Sequence, residues 1–313
     1  MSNEQTELTL SLFNPKNSNT RIYAQHCYAQ PPALDFVFQG VLAGSVAAIV
    51  APGSTGKGFF SLGVCFDLYT GKNMLGIGIG VNPKYPKLTA DQKVAFVTLE
   101  DQSEVVADRL HSVIKGYEMT SEQTIRMDKQ VHFMSLQGEL VMDLVNGRGE
   151  VNYGLANSMI AAYKGYRLII LDTLSRTHTA NENDNGHMAT LISVFEYIAK
   201  HTGAAFVFIH HTNKGSTLNG QGDQAGAARG AAAITDNIRC QLNLSKITEE
   251  EAEKINVPED LRDKFLWLHN SKVNYAESGR AHLLERTNGG VLKKGENPHN
   301  RNVGGKICQF QKG

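Results

Sequence analysis

Lys57 stands in the stretch Ala51-Pro52-Gly53-Ser54-Thr55-Gly56-Lys57-Gly58, whose residue types can hold the phosphates of a nucleotide. Glycines such as Gly53 and Gly56 let backbone N–H groups converge on phosphate oxygens, and a lysine here reaches the outer phosphates. The usual pattern is G-x-x-x-x-G-K-[ST], in which the final hydroxyl serves magnesium. Here Ala51 replaces the first glycine and Gly58 replaces the hydroxyl residue, while Thr55 and Ser61 are not spaced to aim at the metal position. Taken alone, the loop is also compatible with a glycine-rich strand-to-helix turn that holds no ligand. Three further groups have chemistry that a nucleotide hydrolase needs. Val97-Thr98-Leu99-Glu100-Asp101 ends an apolar run in carboxylates; Glu100 can polarise an attacking water, or the pair can simply open the next helix. Leu168-Ile169-Ile170-Leu171-Asp172 ends in a carboxylate that can hold a metal ion or cap a turn. Phe206-Val207-Phe208-Ile209-His210-His211 ends in two histidines that, as strand neighbours, point apart and have no third ligand nearby, so no zinc site is expected.

The elements that must position these groups are legible from hydrophobic period. Ser45 to Val50 reads as a buried strand and Lys57 to Tyr69 as the helix after the loop, with Gly71 as its C-cap. Strand-like and helical runs then alternate: Val94 to Leu99 and Glu104 to Tyr117, Val131 to Ser135 and Tyr153 to Tyr163, Leu168 to Asp172 and His187 to His201, then Ala205 to His210. Alternation of this kind marks an α/β fold with a mostly parallel central sheet flanked by helices. Two long polar loops interrupt it, Ser175 to Gly186 and Asn213 to Ala228. After Ala233 come Ile238 to Leu244, Phe265 to Leu268 and His282 to Glu285, with a helix from Thr248 to Ile255, read as antiparallel strands added toward the C-terminus. The expected organisation is an N-terminal arm over residues 1–30, ended by Pro31-Pro32, one large domain over 31–293, and a flexible polar tail over 294–313.

Composition narrows the partners. The chain has 313 residues with 31 Lys+Arg against 31 Asp+Glu, a net charge of zero that excludes a wholly basic DNA-wrapping protein. Nucleic-acid contact then requires a local patch or a pore assembled from several subunits. Its four cysteines, Cys27, Cys65, Cys240 and Cys308, lack metal-site spacing and are expected reduced. Neither a bilayer-length apolar run nor a secretory leader is evident, so a cytoplasmic protein with no membrane contact is expected.

The joint order of these motifs resembles the RecA-like ring ATPases, most closely the RepA-type hexameric replicative helicases of mobilisable plasmids. The resemblance runs from about Pro31 to about Lys293. It rests on Leu171-Asp172-Thr173-Leu174-Ser175-Arg176-Thr177-His178, Ile209-His210-His211-Thr212-Asn213-Lys214-Gly215, Ala228-Arg229-Gly230 with Thr235-Asp236-Asn237-Ile238-Arg239, and Ser271-Lys272-Val273-Asn274-Tyr275. It implies a RecA-like P-loop NTPase fold, ATP and Mg2+ as cofactors, a homo-oligomeric ring, and single-stranded DNA as partner. By the same resemblance Gly53, Ser54, Thr55, Gly56, Lys57 and Gly58 bind the nucleotide, Asp172 serves Mg2+, Glu100 orients the water and His211 senses the γ-phosphate. Asn213, Lys214 and Gly215 begin a pore loop on DNA. Arg229 and Lys272 are cationic groups reaching a neighbour's nucleotide; related proteins often carry an arginine two residues after the lysine, where this chain has Asn274. Gly58 departs from the pattern, and the expected consequence is slowed or magnesium-hungry turnover. Two other function classes remain open on the sequence: a nucleotide-binding regulator or recombination accessory protein with weak turnover, and a small-molecule kinase, which lacks a visible acceptor lid.

Overall fold

Buried parallel strands should read as continuous apolar runs with both faces covered, and β3 (Val46–Ala51) does so in full. The protein is seen in a computed structural model that describes residues 14, 22–28, 30–139, 142–211, 231–275 and 281–296. It divides into two units, Met1–Leu34 and Asp35–Gly313. In the first, the described residues include a 3-10 turn at Ala24–Cys27. The rest of the description concerns the second unit.

Before β3 lies a hairpin of β1 (Phe36–Phe38) and β2 (Val41–Leu42). After it come α1 (Lys57–Thr70), β4 (Lys93–Thr98), α2 (Ser103–Gly116), α3 (Ser121–Met127) and β5 (Val131–Ser135). The chain continues through α4 (Tyr153–Tyr163), β6 (Tyr166–Asp172), α5 (Asn185–Thr202), β7 (Ala205–His211) and α6 (Ala231–Asn237). It closes with β8 (Cys240–Lys246), α7 (Glu249–Lys254), β9 (Phe265–Val273), β10 (Ala281–Arg286) and β11 (Leu292–Lys294).

Nine strands make one sheet in the order β11-β10-β9-β8-β3-β7-β6-β4-β5. From β5 to β8 every neighbour is parallel, and β9, β10 and β11 add antiparallel pairs beyond β8. This is the RecA-like arrangement expected above. In β3 the faces alternate: Ala47, Ile49 and Ala51 lie in one core with Phe60 and Phe66 of α1, Val113 of α2 and Tyr117 just after it. Val46, Ala48 and Val50 pack on the other face with Phe195 and Ile198 of α5 and Met159 of α4. A ladder pairs β3 with β7 from Val46↔Phe206 to Ala51↔His211, so the phosphate loop and the segment after His211 leave the sheet side by side.

Several elements differ from the sequence reading. The β1–β2 hairpin was not foreseen, and β8, read as antiparallel, pairs parallel with β3 and antiparallel only with β9. Strand β9 runs on to Val273 and takes Lys272 into the sheet. Helix α3 was not foreseen, although Thr120 and Gln123 form a capping box at its start. Lys294, assigned to the tail, lies in edge strand β11, where it pairs with Leu284 of β10. Among the described residues no helix is long and apolar enough to cross a membrane.

Candidate nucleotide site

The phosphate loop begins where β3 ends. Ser54 sits at φ 61 and Gly56 at φ 105, which turns the backbone sharply into α1; at Gly56 a β-carbon would also approach Arg286 Nη2 to 3.2 Å. Gly56 caps α1 without any side-chain hydrogen bond, so the helix N-terminus keeps its N–H donors for a ligand. Thr55 is buried and its hydroxyl donates to the Pro52 carbonyl at 2.8 Å, which fixes the loop. Nothing lies within 4 Å of a β-carbon position on Gly53, so that side of the cradle is open.

Lys57 is folded back on this loop. Its ammonium donates to the carbonyls of Ala51 at 2.9 Å and Pro52 at 2.8 Å, and lies 3.1 Å from His211 Nδ1. Burial pushes Lys57 down to about 8, against the opposing charges of Asp172 and Glu100. His211 Nε2 is in turn 3.3 Å from Glu100 Oε2. Burial and then the Lys57 charge hold His211 below its ordinary value, so the ring is neutral at pH 7. The network assigns the tautomer: Nδ1 accepts from Lys57 and Nε2–H donates to Glu100. His210, the other strand-end histidine, faces away from this chain of contacts and is pushed to about 4 chiefly by burial.

Glu100 and Asp101 owe their places to Thr98, whose hydroxyl accepts from both backbone N–H groups at 3.3 and 3.2 Å. Asp172 ends β6, is 7% exposed, and is followed by a cis peptide to Thr173. Burial lifts its carboxyl to about 7, with the charges of Glu100 and Asp101 adding and those of Lys57 and Arg109 opposing. One ligand atom each from Glu100, Asp172 and His211 can be chosen so that all lie within 4.8 Å of one another. Two carboxylates beside an open phosphate cradle suit a hard divalent cation such as Mg2+, which needs few protein ligands when phosphates supply others. These residues line a cleft of about 290 Å³. That is room for a polyphosphate chain.

Of the residues singled out in the sequence, the loop, Glu100, Asp172 and His211 come together at the carboxyl edge of the sheet, the side on which such folds bind ligands. Lys272 lies elsewhere: its ammonium donates to the carbonyls of Thr235 at 2.7 Å and Asp236 at 3.0 Å, at the end of α6. Asn213, Lys214, Gly215 and Arg229 lie outside the described residues. Two arginines were missed. Arg109 of α2 grips Asp101 through both carboxylate oxygens, at 2.5 and 3.1 Å, and lines the cleft. Arg286 of β10 donates to the Thr55 carbonyl at 2.9 Å. The unused signal for Arg109 was its place on the helix that follows the Glu100-Asp101 pair; Arg286 had none.

A central parallel sheet with a phosphate loop at its carboxyl edge, flanked by strand-end Glu, Asp and His, defines a RecA-like P-loop ATPase. The chain matches the AAA domain family over residues 20–217, more than half its length, and belongs to that family. A solved structure of the RadB recombinase superposes with a TM-score of 0.49 at 13% identity, covering 82% of this chain and 93% of that one.

Proposed function

We propose that the chain is an ATP-driven motor, a helicase or translocase that acts on single-stranded DNA as a homo-oligomeric, hexameric ring in replication of a plasmid or other mobile element. The observation that carries this reading is the contact chain Lys57–His211–Glu100 at the point where β7 gives way to the segment beginning Thr212-Asn213-Lys214-Gly215. A γ-phosphate arriving at Lys57 draws that ammonium from the Ala51 and Pro52 carbonyls and so alters what His211 holds. The histidine is the last residue of β7, next in sequence to the proposed DNA-contacting segment, and Lys214 is the cation that segment offers to a DNA phosphate.

The chain's own groups divide the work as follows. Lys57 and the N–H donors of the loop hold the β- and γ-phosphates, and Glu100 orients water for in-line attack. Asp172 holds Mg2+, which when bound neutralises phosphate charge. Arg229 and Lys272 serve the nucleotide of a neighbouring subunit. For Lys272 the support is its attachment to the end of α6, away from its own cleft. Such a site is complete only between subunits, so turnover follows assembly.

A second reading is a regulator or recombination accessory protein that binds nucleotide with little turnover, and Gly58, which offers no metal hydroxyl, favours it. The test is ATP turnover with and without single-stranded DNA, together with displacement of a strand from a tailed duplex, for wild type, Lys57→Ala and Arg229→Ala. The motor reading expects DNA to stimulate turnover, both variants to lose it, and the strand to be released. Turnover without strand release, or none that DNA stimulates, leaves the second reading.

A further inference from the structure

Gly58 is more than a missing hydroxyl, because a guanidinium lies tight against its side-chain position. A β-carbon built on Gly58 would lie 3.0 Å from Arg109 Nη1 and 3.8 Å from Cζ. That guanidinium is not free to step aside: Asp101 holds it through two oxygens, at 2.5 and 3.1 Å. Asp101 is itself anchored, its carbonyl accepting from Ser135 Oγ at 2.6 Å and its N–H donating to Thr98 Oγ1 at 3.2 Å. Arg109, Gly58, Lys57 and Asp172 all line the same cleft, and the Arg109 charge acts on the Asp172 carboxyl. A guanidinium has five N–H donors, of which the Asp101 pairing uses two.

We propose that Arg109 takes over from the absent hydroxyl: its guanidinium fills the space beside Gly58 and presents a pre-positioned cation to the phosphate chain, so that nucleotide is held with little dependence on a divalent cation. The inference rests on the nucleotide-binding reading of the cleft and is independent of the motor. Gly58 is then the partner that Arg109 requires. A serine there has to push the Asp101-held guanidinium aside by a few tenths of an ångström before it could act as a metal ligand, and a positive charge beside Asp172 also lowers the local gain from Mg2+. Arginine suits the task because its planar fork can grip Asp101 on one edge and phosphate on another, which a lysine cannot do.

The test is the affinity of the full chain for N-methylanthraniloyl-ADP in excess Mg2+ and in EDTA, for wild type, Arg109→Ala, Arg109→Lys, Gly58→Ser and the double variant Gly58→Ser/Arg109→Ala. Wild type should bind with less than about threefold difference between the two conditions. Loss of the charge-assisted contact should weaken Arg109→Ala in EDTA by roughly tenfold or more, with Arg109→Lys between the two. Gly58→Ser alone should weaken binding in both conditions, and the double variant should recover it only with Mg2+. The ratio of affinities with and without metal is the reading that a merely structural role for Arg109 would not move, and a melting curve for each variant shows that it is folded. Unchanged binding of Arg109→Ala in EDTA, or tighter Mg2+-dependent binding by Gly58→Ser alone, overturns the proposal and leaves the nucleotide site standing. Failure of wild type to bind in either condition overturns both.

Discussion

Asp172→Asn should stabilise the free protein, and the gain should grow with pH. Burial, reinforced by Glu100 and Asp101, lifts the Asp172 carboxyl from 3.8 to about 7. The folded state therefore keeps a proton that the unfolded chain releases at lower pH. The stability this supplies is complete below 3.8 and is lost progressively as pH rises to about 7. Above that, the folded protein carries a buried anion at a cost of about 4 kcal/mol, taken as an upper limit. At pH 5 only about 1.5 kcal/mol of that cost has accumulated. Asparagine has no charge to bury, so it escapes the cost. Melting in EDTA without nucleotide should show the variant above wild type by on the order of 5 °C at pH 8 and by much less at pH 5. The same substitution should abolish Mg2+-supported turnover, since the group that destabilises the empty site is the one a cation requires. A variant that melts below wild type at pH 8, or one whose gain is the same at both pH values, refutes the reasoning.

Lys57, held at about 8, loses its proton as pH rises through that value, so affinity for ADP should fall above pH 8, by up to about tenfold per pH step. In Lys57→Arg, which stays charged, whatever affinity remains should be flat between pH 7 and pH 9. Glu100→Gln should cut ATP turnover by roughly a hundredfold or more while leaving nucleotide binding near wild type, measured by phosphate release and ADP titration. Gly80→Ala should destabilise the fold by more than about 2 kcal/mol, because its β-carbon would lie 2.4 Å from the Gly71 α-carbon, and a melting curve checks this.

The sheet was legible because its parallel strands are buried on both faces and so appear as unbroken apolar runs; Ser45 to Val50 is one residue off Val46–Ala51 at each end, and Lys57 to Tyr69 differs from Lys57–Thr70 only at its last residue. Short elements were not. The β1–β2 hairpin is too brief to show a period, and α3 has a single buried residue to announce it. Within the cleft, Gly56, Lys57, Glu100, Asp172 and His211 stood out in the sequence because each lies at or just past a strand end or at a helix start, where position alone suggests use. Arg109 lies mid-helix on a half-polar surface and meets Gly58 only through tertiary packing, and Arg286 arrives from an antiparallel strand at the far end of the chain. Neither encounter has a local pattern. Gly58 read as a loss because the side chain that fills its place is not in the loop.

Ala51 and His211 are ladder partners at the ends of adjacent parallel strands. Such strands stay roughly 4.8 Å apart, and the hydrogen bonds between them leave little slack for either end to slide. Whatever strains the phosphate loop is therefore felt at the backbone of His211 without any intervening side chain, as two spokes fixed to one hub turn together. Under the motor reading, a displacement of the phosphate loop would reach the backbone of His211 by this ladder as well as through the Lys57–His211 contact, so a His211 substitution would weaken the coupling without removing the ladder's share.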